Sequence, residues 1–215
     1  MTQPSTDAQQ QQQPTQPESI AEVAVTSRQQ HEAKLKDMPA DQFSEFVTCP
    51  FTVVVDSREQ APFRFSNFKS DAKQHNKPII IRTVRKGLKT GDYSIEGHED
   101  QIAIERKEFG DFYNCCGQDR ERFQRQLERL NEIKVAAIVV EAGLNSVVTG
   151  HPQSRLNPKT VFRSVIAWQQ RLPNINWWFC YSRRLAEAVS FRILERYWKE
   201  LEKCEQTAES PAKKT

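Results

Sequence analysis

Carboxylates and one lysine recur where the predicted strands of this chain end. Asp56 follows a buried apolar run, and Asp92 follows a glycine at a turn. Glu105 and Lys107 stand two residues apart in a later strand, and because side chains alternate along a strand, they project from the same face. Carboxylates that meet at neighbouring strand ends are the hard oxygen ligands that Mg²⁺ or Mn²⁺ prefers. With an ammonium beside it, such a site is suited to phosphodiester hydrolysis.

Lys107 has two alternative roles in such a site. It could deprotonate the attacking water only if burial or neighbouring cations lowered its pKa. Otherwise its ammonium would orient the water or stabilise developing negative charge. The spacing of Asp92, Glu105 and Lys107 also occurs by chance, so this pattern alone leaves open that these are solvated charges at the rim of a sheet.

Short β-branched runs predict the strands that must position these residues. They occupy residues 51–55, 79–84, 92–95, 101–106, 135–140 and 176–181. The run 135–140 is apolar throughout, which is typical of a strand covered by helices on both faces of a parallel or mixed sheet. An α/β domain with a mixed central sheet flanked by helices is therefore expected.

Helical periodicity appears in three places after Gly117. Phe123, Leu127 and Leu130 recur at helical spacing, and Asn157 is placed to cap a helix that opens with Pro158. A last helix, capped by Ser182, is expected to run to about residue 201. It carries two apolar stripes, Leu185, Val189, Ile193 and Tyr197 beside Phe191, Leu194 and Trp198.

The two stripes of the last helix bear on assembly. One sheet is expected to cover a single stripe, so the other would be covered by a second subunit, in a homodimer or a heterodimer with a related nuclease subunit. The alternative is a helix buried entirely within its own core. In the dimer, the helix at residues 158–172 is a further candidate for the interface.

Composition divides the chain into three parts. Residues 1–30 contain nine glutamines and no aromatic residue, too little apolar surface to offset the entropy of ordering. We therefore predict a disordered Gln-rich tail and linker at 1–47, a folded domain at 48–201 and a flexible C-terminal tail at 202–215.

Basic residues are concentrated before the Gly-Asp turn. Between residues 61 and 90 there are eight lysines or arginines and one acid, Asp71, which favours a polyanion such as DNA, although a solvated basic face has the same composition. Aromatic residues at 63, 65 and 68 would be either a wedge against an unstacked base or part of the core. The DNA-contact candidates from this stretch are Arg64, Arg85, Lys86 and Lys89.

Cysteine, histidine and apolar spacing exclude several classes. Five cysteines without a CxxC pair, and four scattered histidines, form neither a disulfide framework nor a zinc motif. No targeting or membrane-spanning pattern is present. An intracellular protein is expected, in the cytoplasm and nucleoid, or in the nucleus of a eukaryote.

Three motifs in order carry a more specific signal. They are Val-Val-Asp-Ser-Arg-Glu at 54–59, Gly-Asp-Tyr-Ser-Ile at 91–95, and Ile-Glu-Arg-Lys at 104–107 with Asp111 following. Together they resemble the nuclease domain of the XPF family of structure-selective DNA endonucleases, over roughly residues 50–200. The family signature of Gly-Asp, then Glu-Arg-Lys, then Asp after three residues is complete here.

The resemblance implies a restriction-endonuclease-like, PD-(D/E)xK core. Asp92 and Glu105, with the backbone carbonyl of Arg106, would hold Mg²⁺ or Mn²⁺, Asp56 would complete or support that shell, and Lys107 would be the catalytic lysine. Other family positions would contact phosphate, shape the site or form salt bridges within the motifs: Arg58, Glu59, Arg106 and Asp111. A helix of Arg and Gln residues near the site would contact DNA through Arg120, Arg122 and Gln126.

The expected function is a metal-dependent endonuclease that acts on branched or single-strand-bearing DNA in repair or recombination. A non-catalytic DNA-binding subunit that scaffolds an active nuclease is the alternative, although the full acid set favours an enzyme. A sequence-specific restriction-type enzyme on the same fold is a third reading. No tandem helix-hairpin-helix module or helicase region is expected in this sequence, so the substrate preference of larger relatives does not transfer directly.

Overall fold

The computed structural model describes residues 45–71 and 76–209. The predicted tail up to residue 44 and the end of the C-terminal tail from 210 lie outside the described residues. The elements in chain order are β1 (Val47–Asp56), β2 (Ile79–Lys86), β3 (Tyr93–Ile95), β4 (Ile102–Lys107), α1 (Phe109–Cys116), α2 (Arg120–Asn131), β5 (Val135–Val140), α3 (Leu144–Thr149), α4 (Pro158–Arg171), β6 (Ile175–Phe179) and α5 (Arg183–Glu209).

The strands form one mixed sheet in the order β2-β1-β3-β4-β5-β6. β3 runs antiparallel to both of its neighbours, and the other adjacent pairs are parallel. The carboxyl ends of β1, β4, β5 and β6 therefore emerge at the same edge as the start of β3. This topology brings the three chemical motifs of the sequence to one edge of the sheet.

Both faces of the sheet are covered, as the apolar run of β5 predicts. On one face, α5 and the long connection between β1 and β2 pack on the sheet, with Phe51, Phe191 and Leu194 in the core. On the other face, α1, α2 and α4 enclose a second core around Phe123 and Trp168. The predicted mixed α/β architecture is confirmed.

Several element boundaries differ from the prediction. β1 begins at Val47, four residues before the predicted run, because its first half alternates exposed and buried side chains. α1 was not predicted, and its first turn has no side-chain cap from Glu108 to mark it. α5 continues to Glu209 instead of ending near residue 201.

The expectation that one stripe of α5 is left uncovered is wrong. Phe191 and Leu194 are almost fully buried in the protein's own core, and the other stripe packs against the same core as half-buried side chains. The connection between β1 and β2 supplies the second covering surface, with the rings of Phe68 and Phe191 stacked 4.6 Å apart. Exposed large apolar side chains of the described residues lie elsewhere: Leu144, Val148, Phe162, Ile166, Trp178 and Tyr181.

The phenylalanines of the basic stretch belong to the core. Phe63, Phe65 and Phe68 are 3–5% exposed, and the ring of Phe63 stacks on Tyr93 at 5.0 Å. The hypothesis that they form an aromatic wedge is therefore wrong.

Within the described residues, no helix is long and apolar enough to cross a membrane.

Candidate active site

A cleft of about 420 Å³ opens at the edge of the sheet where the three motifs meet. Main-chain hydrogen bonds align the motifs directly: Asp56 N donates to Asp92 O at 2.8 Å, and Asp92 N donates to Ile104 O at 2.7 Å. The residues that line the cleft are Asp56, Arg58, Glu59, Gln60, Ala61, Lys89, Thr90, Gly91, Asp92, Glu105, Arg106, Lys107, Glu108, Asp111, Gln126 and Arg129.

Gly91 permits the close approach of this turn to β4. It has a φ of +80°, and a Cβ atom there would lie 3.1 Å from the Ala103 Cβ and from the Ile104 carbonyl oxygen. Any larger residue would be strained and would push the turn away from the strand. The glycine before Asp92 therefore allows its carboxyl group to reach the end of β4.

Asp92 is held against β4 in a buried position. The backbone N–H of Arg106 donates to its Oδ2 at 2.7 Å. Burial, and next the charge of Glu105, raise the pKa of Asp92 to about 8. Asp92 is thus a buried carboxyl group that is costly to ionise beside Glu105 without a compensating cation.

Glu105 and Lys107 point into the cleft from the same face of β4, as strand alternation predicts. The Lys107 ammonium donates to Oε1 of Glu105 and lies 5.5 Å from the centre of the Phe123 ring. Burial disfavours the ammonium charge, but the charge of Glu105 and the hydrogen bond outweigh it and raise the pKa of Lys107. The lysine is therefore a charged electrostatic group in this arrangement, and of its two alternative roles the base is disfavoured.

The donor set at this corner fits a hard divalent cation. Oε2 of Glu105 is buried without a hydrogen-bond partner among the described residues, and such an oxygen is costly to leave unpaired. Among the same residues, no group of three His, Cys, Asp or Glu side chains could hold a metal ion. The two carboxyl groups, Asp92 and Glu105, could hold an ion that keeps several water ligands, as Mg²⁺ usually does.

Asp56 lines the cleft but is already engaged. Its Oδ1 accepts hydrogen bonds from Arg58 N at 2.7 Å and Nε at 3.0 Å, and its Oδ2 accepts from Arg58 Nη2 at 2.6 Å and Leu88 N at 3.2 Å. The hydrogen bond from the guanidinium, opposed by burial, holds the pKa of Asp56 below its ordinary value. Asp56 supports the wall of the site, and its oxygens are less free for a cation than those of Glu105.

The side chain of Arg106 lies on the other face of β4 and is almost fully buried. Its three nitrogens donate to Glu141 at 2.6 Å, Glu108 at 2.6 Å and Glu59 at 3.3 Å. Glu141 also accepts from Arg183 at the start of α5. Arg106 and Glu59 thus form a salt-bridge network that ties β4, β5 and α5 together beside the cleft.

The predicted DNA-contact residues fall into two groups. The first group is exposed. Arg64 and Lys89 have no hydrogen bond or ion pair in the described part of the chain. Arg58 and Arg122 each pair with a carboxylate, but more than 70% of their side-chain surface is exposed. The second group is engaged by the protein itself. Arg85 donates to Glu59 O, Lys86 pairs with Glu99, and Arg120 donates to Ser164 and lies over Trp168.

One face of α2 borders the cleft and extends the predicted set. Gln126 lines the cleft, as predicted, and Arg129 lines it one turn further on. Arg125 is exposed, and neither Arg125 nor Arg129 has an ion pair among the described residues. The spacing of Arg125 and Arg129 from Arg122, by three and seven residues, could have revealed this face of the helix in the sequence.

Asp111, in the first turn of α1, is exposed at the cleft.

Comparisons with known proteins find one matching family and two similar solved structures. Residues 55–189 match the ERCC4 domain family. No curated protein matches the chain. Two solved structures of XPF from Aeropyrum pernix are similar to this chain. The first has 22% identity and a TM-score of 0.49, and the match covers 68% of this chain and 61% of that one. The second, in complex with DNA, has 21% identity and a TM-score of 0.52, and the match covers 70% of this chain and 66% of that one. The chain thus spans less than two thirds of each, and the likeness to the complex with DNA, at 21% identity, shows the fold alone.

Proposed function

The chain belongs to the ERCC4 domain family, and from this membership we propose that it is a metal-dependent endonuclease that cuts branched or single-strand-bearing DNA. The observation that carries the proposal is the corner formed by Asp92 and Glu105. There a carboxyl group with a raised pKa lies beside a buried, unpartnered carboxylate oxygen. This arrangement is unfavourable for the protein alone and favourable with a bound cation.

Asp92, Glu105 and the backbone carbonyl of Arg106 would hold Mg²⁺ or Mn²⁺. When bound, such an ion would supply Lewis-acid activation of the phosphodiester and a more acidic water. Lys107 would keep its proton and stabilise the negative charge that develops on phosphate oxygens. Asp56 would keep Arg58 at the mouth of the cleft, where its exposed guanidinium can contact a phosphate.

DNA would reach this corner between two basic borders. Lys89 and Arg58 lie on one side of the cleft, and the Arg122, Arg125 and Arg129 face of α2 lies on the other. Exposed cations of this kind attract phosphate without reading base sequence. Selection by DNA structure rather than by sequence is therefore part of the proposal, as is an intracellular location with access to DNA.

Cleavage of a labelled panel tests this function. Duplex, flap, fork and four-way junction DNA are incubated with the full chain in Mg²⁺, in Mn²⁺, in Ca²⁺ and in excess EDTA. We expect cuts at or near a branch or single-strand junction with Mg²⁺ or Mn²⁺, and binding with little turnover in Ca²⁺. Cutting that persists in EDTA would refute the metal mechanism. Tight binding without cleavage under every condition would support a non-catalytic subunit, and cuts at one defined duplex sequence would support a restriction-type enzyme.

A second copy or a related subunit belongs to the same proposal, through α4, the helix that the sequence offered as a further candidate for the interface, instead of α5. β6 is an edge strand, and α4, which packs on it, exposes Phe162 and Ile166 at a spacing of one helical turn. Trp178 is 44% exposed on β6 itself. An isologous pairing across this edge would cover all three side chains and the unpaired strand.

A further inference from the structure

Tyr181 is by far the most exposed of the large apolar side chains in the described part of the chain. It is 80% exposed, whereas the others in this class lie between 36% and 46%. Its hydroxyl has no hydrogen-bond partner among those residues. A tyrosine ring that gains nothing from its own fold is free to contribute to binding.

The backbone fixes this ring at the catalytic edge of the sheet. Lys107, Val140 and Phe179 lie side by side across β4, β5 and β6, so the end of β6 is two strand spacings, about 10 Å, from the end of β4. Cys180 N donates to Val140 O at 2.9 Å, and the Oγ of Ser182 accepts from Leu185 N. Tyr181 is held between these two anchors, so its position is organised before any ligand binds.

Gly143 and Arg183 connect Tyr181 to its surroundings. A Cβ atom at Gly143 would lie 3.6 Å from the Tyr181 Cβ, and the exposed Leu144 comes next in the chain. Arg183, two residues after Tyr181, donates from Nη2 to Ala61 O at 2.5 Å, and Ala61 lines the cleft. Arg183 thus links the segment that carries Tyr181 to the wall of the cleft.

Charge on this surface favours a polyanion. Glu141 and Glu187, the carboxylates closest to the start of α5, are each hydrogen-bonded to an arginine, Arg183 and Arg184. Arg64 follows the segment that Arg183 binds, and it is exposed without an ion pair among the described residues. An aromatic ring with a free guanidinium nearby matches the way in which proteins bind single-stranded nucleic acid, by stacking a base and contacting the backbone.

We propose that Tyr181 is a stacking platform for an unpaired base of the single-stranded segment that leaves the catalytic cleft, with Arg64 as a phosphate contact beside it. This inference rests on the proposed nuclease function. Phe179 lies about 10 Å from Lys107, and Tyr181 follows two residues later, so the ring lies within a few nucleotides of the cleft at about 3.4 Å per nucleotide. The platform would therefore hold the strand a few nucleotides from the bond that is cut and would favour substrates with an unpaired segment there.

Binding without catalysis tests the platform. The full chain in EDTA is titrated with short single-stranded DNA that carries 2-aminopurine at successive positions, and with a duplex of the same sequence. We expect Tyr181→Ala to weaken single-strand binding roughly fivefold or more and to remove the fluorescence quenching at one position. Duplex binding should be little changed. Tyr181→Phe, which keeps the ring, should behave like the unmodified protein.

Arg64→Ala should weaken single-strand binding and reduce its salt dependence. Arg171→Ala is the matched control, since Arg171 is exposed at the end of α4, before β6 begins and so at the opposite edge of the sheet. Equal loss of single-strand and duplex binding in Tyr181→Ala would overturn the platform, as would no change at all. A changed oligomeric mass in that variant would instead identify the ring as a protein contact. Tyr181-dependent quenching in a protein that cuts no DNA would refute the nuclease function and leave the platform standing.

Discussion

The backbone N–H of Arg106 donates a hydrogen bond of 2.7 Å to Oδ2 of Asp92, and this bond fixes a carboxyl group of one strand against the end of the next. The bond stabilises Asp92 at a place where burial and the charge of Glu105 disfavour its ionisation. The protein therefore holds two mutually repelling acids in a defined position. A bound cation would offset this repulsion between Asp92 and Glu105.

Asp92→Asn and Glu105→Gln should each lower the rate of DNA cleavage roughly 100-fold or more, because each removes charge that holds the metal while keeping the size of the side chain. Affinity for DNA, measured in Ca²⁺ by fluorescence anisotropy, should stay within about a factor of three, since the flanking arginines are unchanged. Full activity in either variant would remove that residue from the metal site.

The metal-free protein should lose stability as pH rises from about 4 to about 8. In the folded state Asp92, whose pKa is raised to about 8, keeps a proton that the unfolded chain releases near pH 4. Its contribution is therefore complete at low pH and is lost as pH rises through about 8. Thermal unfolding in EDTA measures this, and the stabilisation by Mg²⁺ should grow over the same range because binding displaces the proton.

Asp92→Asn provides the control for this pH dependence. We expect it to raise the free energy of unfolding of the metal-free protein by about 1–2 kcal/mol at pH 8, because it removes the repulsion with Glu105. The increase in melting temperature with Mg²⁺ should largely disappear. A variant that is less stable than the unmodified protein in EDTA would show that the two acids do not repel each other as argued.

Asp56→Asn should behave in the opposite way. It weakens the hydrogen bonds from Arg58 and Leu88 that stabilise the ionised carboxylate, so the free energy of unfolding at pH 7 should fall by about 2 kcal/mol. The pKa of Asp56 is lowered, so this contribution is present above about pH 4 and is lost as pH falls below it. Urea unfolding at pH 7 and at pH 3 compares Asp56→Asn with the unmodified protein, and the difference in the free energy of unfolding should shrink at pH 3.

Deletion of residues 1–44 should change neither the folded domain nor its cleavage rate. β1 begins at Val47, and among the described residues both hydrophobic cores are built from positions at or after Cys49. We expect the free energy of unfolding to change by less than about 0.5 kcal/mol. A larger loss in calorimetry would show that the Gln-rich segment packs on the domain.

Phe162→Glu combined with Ile166→Glu should convert a dimer to a monomer without unfolding it, because both side chains are exposed on α4. Light scattering at micromolar concentration measures the mass, and circular dichroism checks the fold. Phe191→Glu is the contrasting variant: its ring is 1% exposed, so a charge there should unfold the chain. A monomer mass for the unmodified protein would refute the assembly.

Local sequence determined much of this protein. The alternation of Glu105, Arg106 and Lys107 along β4, the buried strand β5, and the helix that Asn157 caps ahead of Pro158 were all predictable, because each depends on residues a few positions apart. The motifs at 91–92 and 105–107 also carried the family resemblance. Their meeting at one edge also needed β3 to run antiparallel to β1 and β4, so that Asp92 at its start lies beside the carboxyl ends of those strands.

Tertiary structure alone decided what each side chain of the site contacts and which aromatic residue faces water. Phe63 lies in a basic stretch and is nevertheless buried against Tyr93, whereas Tyr181 ends a predicted strand and is exposed. Arg106, a candidate for phosphate contact, is held by three carboxylates, of which Glu59 and Glu141 come from distant parts of the chain. These outcomes depend on packing between segments that are far apart in sequence. No local pattern of charge or hydrophobicity indicates which of those segments will meet.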